Sequence, residues 1–310
     1  MTTSPASGSD LRHEAFFYQH VDDYAAVVGD FLTGALDADR HVFVAVSGER
    51  AETLAGRLGG SWDQVEVIDM AELGRNPSRI IPAFRSFLDK HQGQGASLVG
   101  EPIWPGRTVA EISEATRHEA LVNSALAGTS VHALCPYHVG SLDDAVIADA
   151  CRTHPVLHLD GRTHASRDFA EPETVWRSAA LEPAEFHEVR TVEFNLSGLP
   201  AVRKAVQAEA DRAGLDEERA DDLVVATSEV VGNSIRHGGG SGVLHTWLEP
   251  DAVVCEVRDR GEITDPLAGR LRPDLSADGG WGLWLVNQVC DLVQLHTGPG
   301  GTTVRLRVTR

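Results

Sequence analysis

Glu229 and Asn233 stand four residues apart in a stretch, residues 216–240, whose apolar positions Leu223, Val224, Val230, Val231 and Ile235 recur at helical spacing. The acid and the amide therefore share one helix face, with Arg236 and His237 one turn further on. A carboxylate and a carboxamide stacked in this way can hold a water and a magnesium ion, which takes oxygen ligands and keeps several of its waters. Three more groups follow in order. Asp259-Arg260-Gly261 closes an apolar, strand-like run. The aspartate can accept from an exocyclic amine, the strong donor on adenine, and the glycine lets backbone approach a flat ring. Gly279-Gly280-Trp281-Gly282-Leu283 opens a helical pattern, where exposed N–H groups and the helix dipole suit phosphate oxygens. Gly300-Gly301-Thr302-Thr303 enters the last strand, and the Thr302 hydroxyl can support the aspartate. Each element alone is ordinary, because Asp-x-Gly marks many turns and Gly-x-Gly many helix starts. Their order and their places at element ends make them far more specific together.

Residues 189–310 supply the scaffold these groups need. Strand patterns at 189–196, 243–249, 252–258, 292–297 and 302–308 surround helical patterns at 199–213, 216–240 and about 282–289. Asp216 can cap the second helix, acidic residues fill its first turn, and Gly238, Gly239 and Gly240 stop it. Strands with helices able to cover one face read as an α+β two-layer sandwich.

The ordered set resembles the GHKL (Bergerat-type) ATPase superfamily, and within it the RsbW-like anti-sigma-factor serine kinases with their histidine-kinase-like ATPase domain. EVVGNSIRHG is similar to the N-box, which implies a general base at Glu229 and a Mg²⁺ ligand at Asn233. DRG is similar to the adenine-contacting box, at Asp259 and Gly261, and GGWGLWLV to the glycine-rich phosphate box, at Gly280 and Gly282. Thr302 fits the threonine near the adenine, and residues 262–278 would form the ATP lid, with Arg270 and Arg272 as γ-phosphate contacts. The resemblance implies ATP and Mg²⁺ as cofactors, with a sigma factor and an anti-sigma-factor antagonist as partners. It implies serine phosphorylation in transcriptional or stress signalling; a homodimer is compatible with it. No histidine-bearing dimerisation helix pair precedes the domain, so a sensor histidine kinase fits poorly. One position departs from the pattern: the second glycine of DxGxG is Ile263, a stiff β-branched residue that bears on lid closure and turnover. ATP binding therefore follows more directly than phosphoryl transfer, and a non-catalytic ATP-dependent protein-binding switch stands as the alternative.

Residues 11–160 read differently. Short apolar runs at 13–19, 42–46, 65–70, 97–101 and 131–135 alternate with helical patterns at 21–36, 50–58, 78–91 and 109–126. Such alternation predicts an α/β layer with a largely parallel sheet, whose ligands gather at strand carboxyl ends. After the second strand stands Ser47-Gly48-Glu49-Arg50, with neither GxxxxGK[ST] nor a lysine, so the arrangement is P-loop-like without a P-loop. After the fourth come Glu101, Trp104 and Arg107, which either line a small-molecule pocket or are a packing indole beside an ordinary ion pair. As an active site this locus lacks a visible nucleophile–base pair. GEPIW, EALVN at 119–123 and LCPYH at 134–138 resemble the MEDS sensory domain of prokaryotic regulators, which implies a P-loop-derived fold that senses small ligands. His132, Cys135 and His138 form H-x₂-C-x₂-H, but along a strand His132 and Cys135 face opposite ways and no fourth ligand is evident, which disfavours zinc there.

A net charge of −19 over 310 residues disfavours direct nucleic-acid binding and anionic membrane surfaces. A nucleotide would have to be held by local glycines, backbone N–H groups, metal and a few arginines against that field. The length suits two domains, no run is apolar enough to span a bilayer, and MTTSPASGSD reads as a disordered tail, residues 1–10. Four scattered cysteines suit reduced, buried thiols in a cytoplasmic protein. Residues 161–188, polar and acidic with Pro172 and Pro183, read as a linker, in which a short helix around Trp176 could carry a signal.

Overall fold

The apolar runs of the first half align as a parallel sheet. In this computed structural model, which describes residues 11–178, 181, 188–274 and 279–310, the chain divides into two units. The first runs to Gly74 and resumes from Ile80 to Val175; the second holds Arg75–Arg79 and the chain from Trp176 onward. The tail expected at residues 1–10 lies outside the described residues, as does part of the expected linker.

The first unit contains β1 (Arg12–Tyr18), α1 (Val21–Asp37), β2 (His41–Val46), α2 (Gly48–Leu58), β3 (Val65–Asp69), α3 (Met70–Leu73), α4 (Ile80–Lys90), β4 (Ala96–Gly100), α5 (Val109–Ala125), β5 (Val131–His138), α6 (Asp144–Thr153), β6 (Val156–Leu159) and β7 (Arg162–Ala165). The strand order is β3-β2-β4-β5-β1-β6-β7, parallel throughout except for the β6–β7 hairpin at one edge. Alternation along β1 sorts its side chains. Phe16 and Tyr18 pack under α1 and α2, while Ala15 and Phe17 face Cys135, Tyr137, Val146 and Ala150 on the opposite side. α5 begins with a reciprocal cap between Thr108 and Glu111 and is buried almost all round, carrying Glu114, Arg117, His118 and Glu119 inside. A helix with charges buried on several faces is unusual, and one of them matters below.

α7 (Pro172–Ser178) leads to the second unit, which contains β8 (Arg190–Asn195), α8 (Leu199–Ala213), α9 (Glu217–His237), β9 (Ser241–Leu248), β10 (Ala252–Asp259), α10 (Trp281–Val289), β11 (Leu292–Gly298) and β12 (Gly301–Thr309). Its five strands form an antiparallel sheet in the order β11-β12-β10-β9-β8. Val202 and Val206 of α8, Leu223, Ala226, Val230 and Val231 of α9 and Val286 of α10 pack on Leu244, Val253, Cys255, Val257, Val304 and Leu306 of the strands. This is the expected two-layer sandwich. The Trp176 ring is buried and stands beside Asp265, Pro266, Arg270 and Leu283. Among the described residues no helix is long and apolar enough to cross a membrane.

Candidate functional site

The Asp216 carboxylate accepts from the Arg219 N–H at 2.8 Å and fixes the start of α9. Glu217 and Glu218 in the first turn and Arg236 and His237 in the last complement its dipole. With the apolar stripe committed to the sheet, Glu229 and Asn233 are left half-buried on the flank that α10 approaches. The approach is close: a Cβ on Gly282 would lie 2.8 Å from Glu229 Oε2 and 3.4 Å from Asn233 Nδ2. Glycine at 282 is thus what lets the first turn of α10 reach the acid and the amide. Gly280 caps α10 at a φ of +89°, a left-handed turn with no side-chain cap, so the first N–H groups of the helix keep no such partner.

Asp259 ends β10, directly opposite Thr302 in the β10–β12 register. Its Oδ1 accepts from the Gly261 N–H at 2.8 Å; Oδ2 bears no hydrogen bond among the described residues. The sequence reading had the Thr302 hydroxyl supporting the aspartate. The structure gives it to the turn that follows: Thr302 Oγ1 donates to the Gly261 carbonyl at 2.8 Å. Thr297 Oγ1 lies 2.9 Å from Thr302 Oγ1 and accepts from the Ile263 N–H at 2.9 Å. Since Thr302 has spent its proton on Gly261, Thr297 must donate to Thr302, and the two hydroxyls form one chain pinning both ends of Gly261-Glu262-Ile263. Thr297 was not singled out from sequence. Among the described residues Ile263 is not in the left-handed region, so its backbone is not strained by lacking glycine.

These pieces surround a cavity of about 1160 Å³ that takes in Asn233, Asp259, Gly261, Gly280, Gly282, Thr302 and Arg272. Ile263, Leu271, Pro273 and Trp281 add apolar walls, and Arg236 adds a second cation. Glu229 is not among the side chains that line the cavity; it stands against Gly282, which does, and makes no hydrogen bond among the described residues. Asn233 Oδ1, the proposed metal ligand, accepts from Arg236 Nη2 at 2.8 Å. Arg270 is not brought to this cavity; it is buried beside Asp265, Asn287 and Leu295, while Arg272 reaches the wall with its guanidinium 6.0 Å from the Trp284 ring centre. Two arginines at the cavity answer the chain's overall negative field locally.

In the first unit Trp104 and Arg107 come together, but Glu101 does not join them. Glu101 accepts from the Tyr18 hydroxyl at 3.1 Å with Arg50 Nε 3.9 Å away, and burial pushes its carboxyl up to about 7. Arg107 stacks over Trp104 at 4.1 Å and donates to the carbonyls of Pro102 and Gly74; burial lowers its guanidinium to about 10. His132 turns to Glu14 at 2.9 Å and His138 to Ser141 at 2.6 Å, while Cys135 faces the other side of the sheet. H-x₂-C-x₂-H does not close on one point.

Residues 12–155 match MEDS, the methanogen/methylotroph DcmR sensory domain, and residues 192–308 match the histidine kinase-like ATPase domain. The chain is a MEDS domain followed by a histidine kinase-like ATPase domain. Among solved structures, the RsbU and RsbW domains of Rv1364c from Mycobacterium tuberculosis are similar over 39% of this chain and 32% of that one, at 23% identity and a TM-score of 0.29. The Acinetobacter baumannii histidine kinase AdeS is similar over 39% and 68%, at 13% identity and a TM-score of 0.24. The match thus spans about a third of the first of these. No curated protein matches the chain. The cavity with Asn233, Asp259, Gly280 and Gly282 lies wholly within the ATPase domain, and the Glu101 and Arg107 region within the MEDS domain.

Proposed function

We propose that the chain is an ATP-dependent protein serine/threonine kinase of the anti-sigma-factor type, its ATPase domain governed by the MEDS domain and acting on a sigma factor and its antagonist. The observation that carries this reading is the cavity that gathers Asp259, the open start of α10 and the Asn233 amide, with Glu229 against Gly282; among the described residues Asp259 Oδ2 and Glu229 bear no hydrogen bond. Bound Mg·ATP would supply the transferable phosphoryl group and the metal charge. Asp259 Oδ2 is available to an adenine amine, and the N–H groups after Gly280 to phosphate oxygens. The Asn233 oxygen, which accepts from Arg236 here, would hold the cation, and the Arg236 guanidinium would then be available to phosphate. Glu229, close enough to Gly282 to touch whatever sits against that turn, takes the proton from an incoming serine hydroxyl.

A non-catalytic reading, in which nucleotide only sets the shape that captures a partner, draws support from Ile263, whose side chain stands at the cavity wall in place of a bare glycine. Labelled ATP with a serine-bearing antagonist separates the two. Glu229→Gln should abolish transfer and leave ATP affinity within about twofold; transfer by the variant at the wild-type rate would refute the base assignment, and no transfer by the wild type would favour the switch.

A further inference from the structure

The MEDS domain holds four side chains that no part of the nucleotide site uses. His13 of β1, Glu119 of α5, Cys135 of β5 and His154, the residue after α6, are all buried, and their ligand atoms lie within 4.8 Å of one another. Glu119 Oε2 is 3.2 Å from His13 Nε2, 3.2 Å from His154 Nε2 and 3.5 Å from Cys135 Sγ, and that sulfur is 3.4 Å from His13 Nε2. A tetrahedral site with bonds of about 2.0–2.3 Å sets its ligand atoms about 3.3–3.7 Å apart.

The surrounding hydrogen bonds decide which way these groups present themselves. The Asn123 amide nitrogen donates to the carbonyls of Thr153 at 2.8 Å and Ala120 at 3.1 Å, so the Asn123 oxygen is the atom 3.2 Å from His13 Nδ1. His154 Nδ1 lies 2.9 Å from the Ala150 carbonyl. A carbonyl and a carboxamide oxygen only accept, so both rings carry a proton on Nδ1, and each ring when neutral turns a bare Nε2 lone pair to the centre. Two imidazole nitrogens and a carboxylate oxygen then meet with one thiol proton among them. Among the described residues His154 Nε2 and Glu119 Oε1, fully buried, are left without a hydrogen bond, and Nε2 has Glu119 Oε2 beside it, at 3.2 Å. Acceptors facing acceptors in a dry interior repel unless something positive lies between them.

We propose that this cluster is a zinc-class metal site, ligated by His13 Nε2, His154 Nε2, Glu119 Oε2 and Cys135 Sγ. A mixed set of two nitrogens, one oxygen and one sulfur suits Zn²⁺ and excludes Mg²⁺ and Ca²⁺, which take oxygen alone. On binding, the Cys135 thiol gives its proton to solvent as the sulfur–metal bond forms. Asn123 and the Ala150 carbonyl are the outer partners that fix the two rings. The cavity that His13, Glu119 and Cys135 line together with Met70, Phe84 and His118 is about 10 Å³, room for a single water at most, so little space is left beside the four side chains. The metal would join two strands to two helices and lend the domain stability.

The test uses the full chain, with elemental analysis after purification and Co²⁺ titration of chelator-treated protein. The expected result is about one zinc per chain and a tetrahedral Co²⁺ spectrum with a thiolate-to-metal charge-transfer band. Cys135→Ser should remove that band, His154→Ala should weaken metal binding by at least about tenfold, and His132→Ala, from the non-converging motif, should change neither. Should Cys135→Ser not fold, protection of the Cys135 thiol from alkylation by Zn²⁺ in the wild type gives the same information. Wild-type protein that binds neither metal, an unprotected Cys135, or unchanged binding in His154→Ala would overturn the proposal.

Discussion

Gly282→Ala separates folding from binding in the ATPase domain. The residue is the second of α10 and its backbone is not left-handed, so alanine is compatible with the conformation and adds up to about 1 kcal/mol of helix propensity. Against that, the new Cβ would stand 2.8 Å from Glu229 Oε2, which is the far end of a flexible and half-buried side chain that can move aside, and at a tight 3.4 Å from Asn233 Nδ2. Propensity and crowding are of similar size and opposite sign, so stability should change by less than about 1 kcal/mol, a shift in Tm of a few degrees for a domain of this size. Binding has no such compensation. If phosphates meet the start of α10 as proposed, the methyl group crowds that turn and displaces the Glu229 carboxylate beside it. A loss of even 1.4 kcal/mol is about tenfold in Kd. Calorimetric titration of ATP in the presence of Mg²⁺, beside a thermal melt of the same sample, reads both quantities. An ATP affinity equal to that of the wild type in a well-folded Gly282→Ala protein would refute the placement of phosphate at this turn.

Thr302→Val keeps the shape but removes the donor to the Gly261 carbonyl and the acceptor for Thr297; a melt should show a loss of about 1–3 kcal/mol, recovered in Thr302→Ser, together with weaker ATP binding. Glu101 holds its proton up to about pH 7 when folded and releases it near 4.5 when unfolded, so folded protein binds more protons between those values. Its contribution to stability is complete below about 4.5 and falls as pH rises to about 7, by about 3 kcal/mol; urea titrations of wild type and Glu101→Gln should converge at low pH and separate in the variant's favour as pH rises, and parallel curves would contradict it. Glu229→Gln should lose phosphoryl transfer while keeping nucleotide, as measured with labelled ATP.

The grouping of the candidate nucleotide site was legible because its parts are local. Glu229 and Asn233 are one helical turn apart, Asp259 and Gly261 share a turn, and Gly280 and Gly282 share a helix start, so spacing alone conveys their geometry. Thr297 escaped because its role depends on lying opposite Thr302 across the β11–β12 register, a pairing that no spacing rule reveals. Glu101 and Arg107 were read together because they are close in sequence, yet the intervening loop sends one to Tyr18 and Arg50 and the other to backbone carbonyls. α6 and the β6–β7 hairpin were missed in sequence: α6 buries only Val146, Ala150 and Thr153, and β6 is three half-buried residues and an exposed leucine. The His13, Glu119, Cys135 and His154 cluster is the extreme case. Its members come from separate elements spread along the first half of the chain, and only the parallel pairing of β1 with β5 under α5 and α6 assembles them.

The most direct test of the nucleotide assignment is the ATP affinity of Asp259→Asn. One oxygen at this position holds the Gly261 N–H and the other bears no hydrogen bond among the described residues, so an amide that keeps the turn turns its NH₂ into the place of that second oxygen. Donor then meets donor at the adenine amine. The account predicts that wild-type protein binds Mg·ATP at one site and that Asp259→Asn, with an unchanged circular dichroism spectrum, binds it at least about tenfold more weakly. Equal ATP affinity in the two proteins, or none in the wild type, would contradict it.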